Sequence, residues 1–309
     1  MKFTSIIGHE ALKQKLSVLV NKPQAFLFYG PPSTGKRTVA FEFARYVLCT
    51  GSQEDGCICP SCKGFSFSPD FLYVGKDKIL LQDIENLGIF TSRAPLIGKT
   101  RVVIIDNSEH MSKEVFTRLL KVVEETSYVF IFISSVLEAN SQTIRSRCLK
   151  VQFNALTQED YTNIFWKKFG FELSQARVLG WIGSFTAQDI FSSAGQILKL
   201  RDQSIEFADL LSNGEKNSLK ILEFIDKIEN LKLFIDVVIL ILTDILGLKN
   251  NLPDILNSDK RSELQKTAEK FDYKNLLVLL NMLSQIKKND FLSPNYNLLF
   301  KSIIINYGS

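Results

Sequence analysis

The stretch from Ala25 to Leu48, AFLFYGPPSTGKRTVAFEFARYVL, constrains the fold more than any other. A short apolar run meets a glycine-rich turn, and apolar residues at helical spacing follow. Strand, turn and helix in that order bring free backbone N–H groups around a point where a phosphate can sit. The turn satisfies G-x-x-x-x-G-K at Gly30, Gly35 and Lys36, with Ser33 and Thr34 inside it. Lys36 is placed to contact β and γ phosphates. The next position normally carries a serine or threonine that helps hold Mg²⁺, and here it is Arg37, which cannot ligate a cation. Thr38 stands about 100° further round the helix and points elsewhere. Whether the loop holds a nucleotide or only keeps its turn stays open on these residues.

The segments that follow keep alternating. DFLYV, RVVIIDN, YVFIFISS and CLKVQF read as strands, and LLQDIENLGIFTSRA and EVFTRLLKVVEE as amphipathic helices. In the second of these Phe116, Leu119, Leu120 and Val123 share a face. Buried strand runs separated by helices predict a parallel sheet covered on both faces, an α/β module over residues 1–155. RVVIIDN ends on Asp106, well placed to orient magnesium, and the next residue is Asn107 where a water-polarising glutamate would stand. Glu109 lies two positions further, on a turn whose geometry the sequence leaves undefined. Gly30, Ser33, Thr34, Gly35, Lys36, Arg37, Thr38 and Asp106 are therefore the candidate nucleotide-contacting residues, with both changes falling on the magnesium and water step.

Four of the five cysteines crowd into CTGSQEDGCICPSC: Cys49, Cys57, Cys59 and Cys62. Cys59-Pro-Ser-Cys62 has zinc-knuckle spacing, and the polar run from Gly51 to Gly56 can fold Cys49 back. Cys57-Ile58-Cys59 is one residue tighter than paired knuckles prefer. The expectation is one structural Zn²⁺ site in a module at 49–62, with reduced thiols as the plainer alternative. Cys148 reads as a small buried hydrophobe.

Beyond Phe153 the strands stop. LTQEDYTNIFWKKF, SQARVLGWIG and TAQDIFSSAGQIL predict three short helices, a small unit over 156–205. LKILEFIDKI, LFIDVVILILTDIL, LLVLLNMLSQI and YNLLFKSIII predict a helical bundle over 206–309. The longest apolar run, Leu233 to Leu248, is interrupted by Asp236 and Asp244, which suits a buried helix and not a membrane span. Charges near the N-terminus argue against a signal peptide, so a cytoplasmic location is the default. A formal charge of +4 permits a local basic patch and excludes identification as a nucleic-acid binder from charge alone.

The order of parts resembles a bacterial DNA polymerase III clamp loader subunit of the AAA+ superfamily. The phosphate loop, the four cysteines after its helix, the acidic strand end and TIRSRC at Thr143 to Cys148 carry the resemblance, with SPD at Ser68 to Asp70 and FTSIIGHEALKQKL beside them. It covers residues 1 to about 200 well. It implies an AAA+ module, a helical lid and an all-α collar that oligomerises. It implies that Arg147, in Ser146-Arg147-Cys148, is a finger reaching a neighbour's ATP, with Arg145 assisting or solvated. Thr186 takes the place of a lid arginine. Lesions at Arg37, Asn107 and Thr186 beside an intact Arg147 resemble the delta prime type, a non-hydrolysing stator that holds ATP, if at all, without cleaving it. The implied partners are the tau/gamma and delta subunits in a ring of the hetero-pentamer type, the sliding clamp, and primer–template DNA gripped by its backbone, for which Lys99, Arg101, Lys113 and Arg118 are candidates. An ATP-hydrolysing tau/gamma-type subunit is the first alternative. A stand-alone zinc and nucleotide binding module is the second.

Overall fold

The computed structural model describes residues 3–20, 25–76, 79–140, 142–185, 190–213, 218–288 and 296–308. It divides into two compact units, Met1–Thr157 and Gln158–Ser309.

In the first unit α1 (Glu10–Leu19) precedes β1 (Ala25–Tyr29), and the glycine turn leads into α2 (Lys36–Leu48). Then come the short α3 (Pro60–Lys63), β2 (Phe71–Val74), α4 (Leu81–Thr91), β3 (Val102–Ile105), α5 (Lys113–Glu125), β4 (Val129–Ser134), α6 (Gln142–Arg147) and β5 (Leu149–Gln152). The strands form one sheet in the order β2-β3-β4-β1-β5, and every pairing is parallel. The period of two sorts the side chains to opposite faces. Phe26, Phe28, Val102, Ile104 and Ile131 enter one core with Val39 and Phe43 of α2. Leu27, Val103, Ile105, Phe130 and Phe132 enter the other, with Ile84 and Leu87 of α4 and Phe116 and Leu119 of α5. Burial on both faces is why β3 and β4 read as unbroken apolar runs.

Parallel strands end on the same edge, and that edge collects the turn after β1, the acidic end of β3 and the end of β4. Gly30 is obligatory there: its φ is +148°, and a Cβ would stand 2.1 Å from the Phe153 carbonyl oxygen. The Phe153 amide meanwhile donates to the Tyr29 carbonyl at 2.8 Å, so β5 closes against the loop.

The second unit is helical: α7 (Gln158–Lys167), α8 (Leu173–Phe185), α9 (Ile190–Ser212), α10 (Ser218–Asp226), α11 (Leu231–Lys249), α12 (Arg261–Lys270), α13 (Tyr273–Lys288) and α14 (Tyr296–Gly308). The border expected near 205 falls inside α9, which packs on α8 and on α11 alike. The helix α11 is buried along most of its length, with Asp236 and Asp244 inside it. Asp244 is satisfied by the amides of Leu256 and Asn257 and by Asn257 Nδ2, so its charge anchors the following loop. Among the described residues no helix is long and apolar enough to cross a membrane. The polar α12 buries only Leu264, Thr267 and Ala268.

Candidate functional site

The loop between β1 and α2 is held by its own residues. Ser33 and Gly35 adopt positive φ, 59° and 79°, which turns the backbone into the helix start. Thr34 is buried; its hydroxyl donates to the Pro31 carbonyl at 2.9 Å, and its own carbonyl lies 2.8 Å from His9 Nε2. Lys36 is folded back, its ammonium donating to the carbonyls of Gly30 at 2.7 Å and Pro31 at 2.5 Å. Burial lowers the Lys36 pKa, while the Glu109 and Asp106 carboxylates pull the other way. Thr38 is exposed on the helix, away from these contacts.

Arg37 is not idle. Its Nε donates to Asp106 Oδ2 at 2.6 Å across the strand ends. Tyr73, near the end of β2, donates its hydroxyl to the same oxygen at 3.0 Å, and the Asn107 amide takes Oδ1 at 3.0 Å. Burial, and then the adjacent Asp106 charge, push the Tyr73 phenol up to about 12, so it stays a neutral donor. Asp106 is buried with both oxygens engaged. A magnesium ion needs near-octahedral oxygen ligands, including a free carboxylate and the hydroxyl that Arg37 replaces. The residues present do not fit that ion: a guanidinium and a phenol fill its side of the carboxylate. Asn107 sits in the left-handed region at φ 53°, which a short polar side chain tolerates. Glu109 spends Oε1 on the Ser135 amide at 2.8 Å, and its Oε2 is buried with no hydrogen-bond partner.

The cysteine sulfurs of 49, 57, 59 and 62 lie within 4.8 Å of one another, and Cys49 is 3.6 Å from Cys57 and 3.8 Å from Cys59. Two sulfurs on a tetrahedral ion with bonds of about 2.3 Å stand about 3.8 Å apart, so four thiols so placed could hold a metal ion. Gly51 makes the fold-back: a Cβ there would meet Cys57 Sγ at 2.8 Å. Burial opposes ionisation of Cys59, yet the Thr50 hydroxyl and the Cys62 amide bring its thiol down to about 5. Arg45, bonded to Glu42 and stacked on Tyr46, points Nη1 at Cys62 Sγ at 3.5 Å. Cys148 is buried, as expected.

Arg147 ends α6, its side chain 46% exposed, and its Nε is paired with Glu124 near the end of α5. Arg145 Nε is buried without a hydrogen-bond partner. Thr186 lies outside the described residues, as does the side chain of Lys113. Lys99 and Arg118 are exposed, Arg118 beside Glu85 and Glu114. Arg101 is a correction: it is 2% exposed, donates to the carbonyls of Phe90 and Ala94, and stacks on Phe90. It cannot reach DNA. Beside it Asp70 collects the amides of Leu96, Ile97 and Gly98, which explains the acidic residue of the SPD stretch.

Sequence reasoning did not find Tyr73 or His9. Only the adjacency of β2 and β3 reveals the first, and nothing in the local pattern marks the second.

A family model described as DNA polymerase III, delta subunit, matches residues 9–157, and one described as the C terminal part of the DNA polymerase III delta subunit matches residues 196–308. The chain is similar to the DNA polymerase III subunit tau of Bacillus subtilis, 31% identical over 173 residues, covering 51% of this chain and 30% of that protein. It is similar to the DNA polymerase III subunit delta' of Pseudomonas aeruginosa, 28% identical over 152 residues, covering 46% of each. Similarity to the DNA polymerase III subunit gamma of Buchnera aphidicola is 24% over 343 residues, covering 98% of this chain and 94% of that one. In the first two cases the chain spans less than half of its relative.

Proposed function

The chain belongs to the DNA polymerase III clamp loader subunits of the AAA+ type, and we propose that within them it is a stator of the delta prime kind. It does not hydrolyse ATP in its own loop, and it supplies Arg147 to the ATP of a neighbouring subunit. One observation carries this reading: Asp106, the carboxylate that would orient magnesium, is bound to Arg37 and Tyr73. Asn107 offers no base at the next position. An ATP-hydrolysing tau/gamma-type role would need that seat open.

The proposed partners follow from the family. They are tau/gamma-type motor subunits, a delta-type subunit, the sliding clamp, and primer–template DNA held through phosphates. The helical unit would carry the ring contacts. The four thiols would hold a structural Zn²⁺, and metal analysis of the purified chain should return about one zinc per chain, lost together with the module's protease resistance on chelation. A chain free of metal and equally resistant would leave only reduced thiols.

The decisive experiment assembles the loader with Arg147→Ala. Turnover at the neighbouring site should fall by about 10³-fold, within the range for arginine fingers, while the complex keeps its size. The isolated wild-type chain should show no magnesium-dependent ATPase. Full turnover in an assembled ring carrying the variant rejects the finger.

A further inference from the structure

We propose that Arg37 is a resident substitute for the divalent cation, and that the loop takes a nucleoside polyphosphate free of metal. This deepens the non-hydrolysing reading and rests on its account of the loop. In a metal-dependent loop the ion does two things: it neutralises phosphate oxygens and it ties them to the strand-end carboxylate. Arg37 is tied to that carboxylate already, through Nε at 2.6 Å. A guanidinium has five N–H donors in a fork that matches phosphate, and it is charged at any working pH. Asp106 uses one of the five, and the side chain is 61% exposed, so the rest of the fork is open to a ligand from solvent. Tyr73 adds a second donor to Asp106 and packs under the guanidinium, 5.8 Å from its carbon, which fixes the arm without consuming its outer face.

Lys36 completes the site. Its ammonium now rests on two neutral carbonyls of the loop. An entering phosphate offers charged acceptors in their place, so the ammonium exchanges ion–dipole contacts for ion–ion ones. Lys36 and Arg37 are adjacent in the chain, at the first two positions of α2, where the helix N-terminus also favours an anion. A magnesium-bound nucleotide is at a disadvantage here. Its metal would stand against the guanidinium with no hydroxyl and no free carboxylate oxygen to complete its ligands.

The test is calorimetric titration of the full chain with ATP and with ADP, once in EDTA and once in excess Mg²⁺. Affinity in EDTA should equal or exceed that in Mg²⁺. Arg37→Thr should lose about ten-fold in EDTA and recover on adding Mg²⁺, because the hydroxyl and the position on Asp106 Oδ2 that Arg37 vacates, with Tyr73 still donating beside it, now offer a seat. Arg37→Lys keeps the charge and loses the fork, so it should weaken binding without gaining any response to Mg²⁺. A wild-type chain that binds about ten-fold tighter with Mg²⁺, or that binds neither nucleotide in either buffer, overturns the proposal. These are measurements on the isolated chain. Their failure leaves the Arg147 reading standing, and failure of Arg147→Ala in the assembled loader leaves these untouched.

Discussion

Two arginine–carboxylate pairs in the α/β unit use the same chemistry for opposite ends. Arg37 meets Asp106, whose side chain is 6% exposed and has two further donors. Arg147 meets Glu124, whose side chain is 52% exposed, and the arginine is itself 46% exposed. A pair whose carboxylate is buried is costly to break, because the remaining charge is stranded away from water. A pair at the surface contributes about 0–1 kcal/mol and exchanges with solvent freely. The first arginine is therefore held within its own chain, and the second exchanges with solvent. In the proposed stator reading, the first pair closes the chain's own metal seat and the second leaves Arg147 releasable.

Asp70 and Arg101 set the upper end of that scale, since their side chains are 1% and 3% exposed. Asp70→Asn should cost about 3 kcal/mol, the range for stranding one member of a buried pair. Burial works against its ionisation, but the amides of Leu96, Gly98 and Ile97, and then Arg101, hold its carboxyl below the usual range. A depressed folded-state pKa gives stability that is full above the unfolded value of about 3.9 and is lost as pH falls through the folded value. Urea midpoints of the wild type should thus drop as pH falls below about 4, and those of Asp70→Asn should start lower and change less. Equal slopes for the two proteins would remove Asp70 from the account.

Arg37→Ala tests the committed pair directly. The arginine is largely exposed, and Tyr73 and the Asn107 amide would still serve Asp106, so the full buried-pair cost does not apply. A loss of about 1–2 kcal/mol in urea unfolding is expected. A loss below about 0.5 kcal/mol, the ordinary range for a surface change, would make Arg37 a surface arginine like Arg147 and erase the contrast.

Much of this was legible in the chain of letters, and the gaps have physical causes. The parallel sheet followed from apolar runs alternating with helices, and the departures at Arg37 and Asn107 stood in plain view. Their consequence did not, because Arg37 and Asp106 are 69 residues apart and meet only when β4 separates β1 from β3 in the sheet. Tyr73 was hidden for the same reason. Arg101 looked like its exposed neighbour Lys99, since a sequence does not reveal that two carbonyls and a phenyl ring wait for a guanidinium. The helix α12 lay in a region read as helical without a segment of its own, because RSELQKTAEK buries too little to leave a stripe. The long α9 runs through the border expected near 205 because its apolar positions serve neighbours on both sides.

The smallest effect is the most discriminating. Glu124→Gln removes the charge that holds Arg147 while leaving α5 a good helix former. Stability should change by less than about 0.5 kcal/mol, because the pair is a surface one. If Arg147 is parked and not built in, the assembled loader should turn over ATP at least as fast with this variant as without it, because the arm no longer has to leave a partner before reaching the neighbouring phosphate. The gain is bounded by the strength of the pair, so about two- to five-fold is the ceiling. A loss of turnover with unchanged stability would mean that Glu124 aims the arginine, making the outward pair as fixed in purpose as the inward one. The two outcomes differ in sign, so even a modest change in rate separates a released arm from a positioned one.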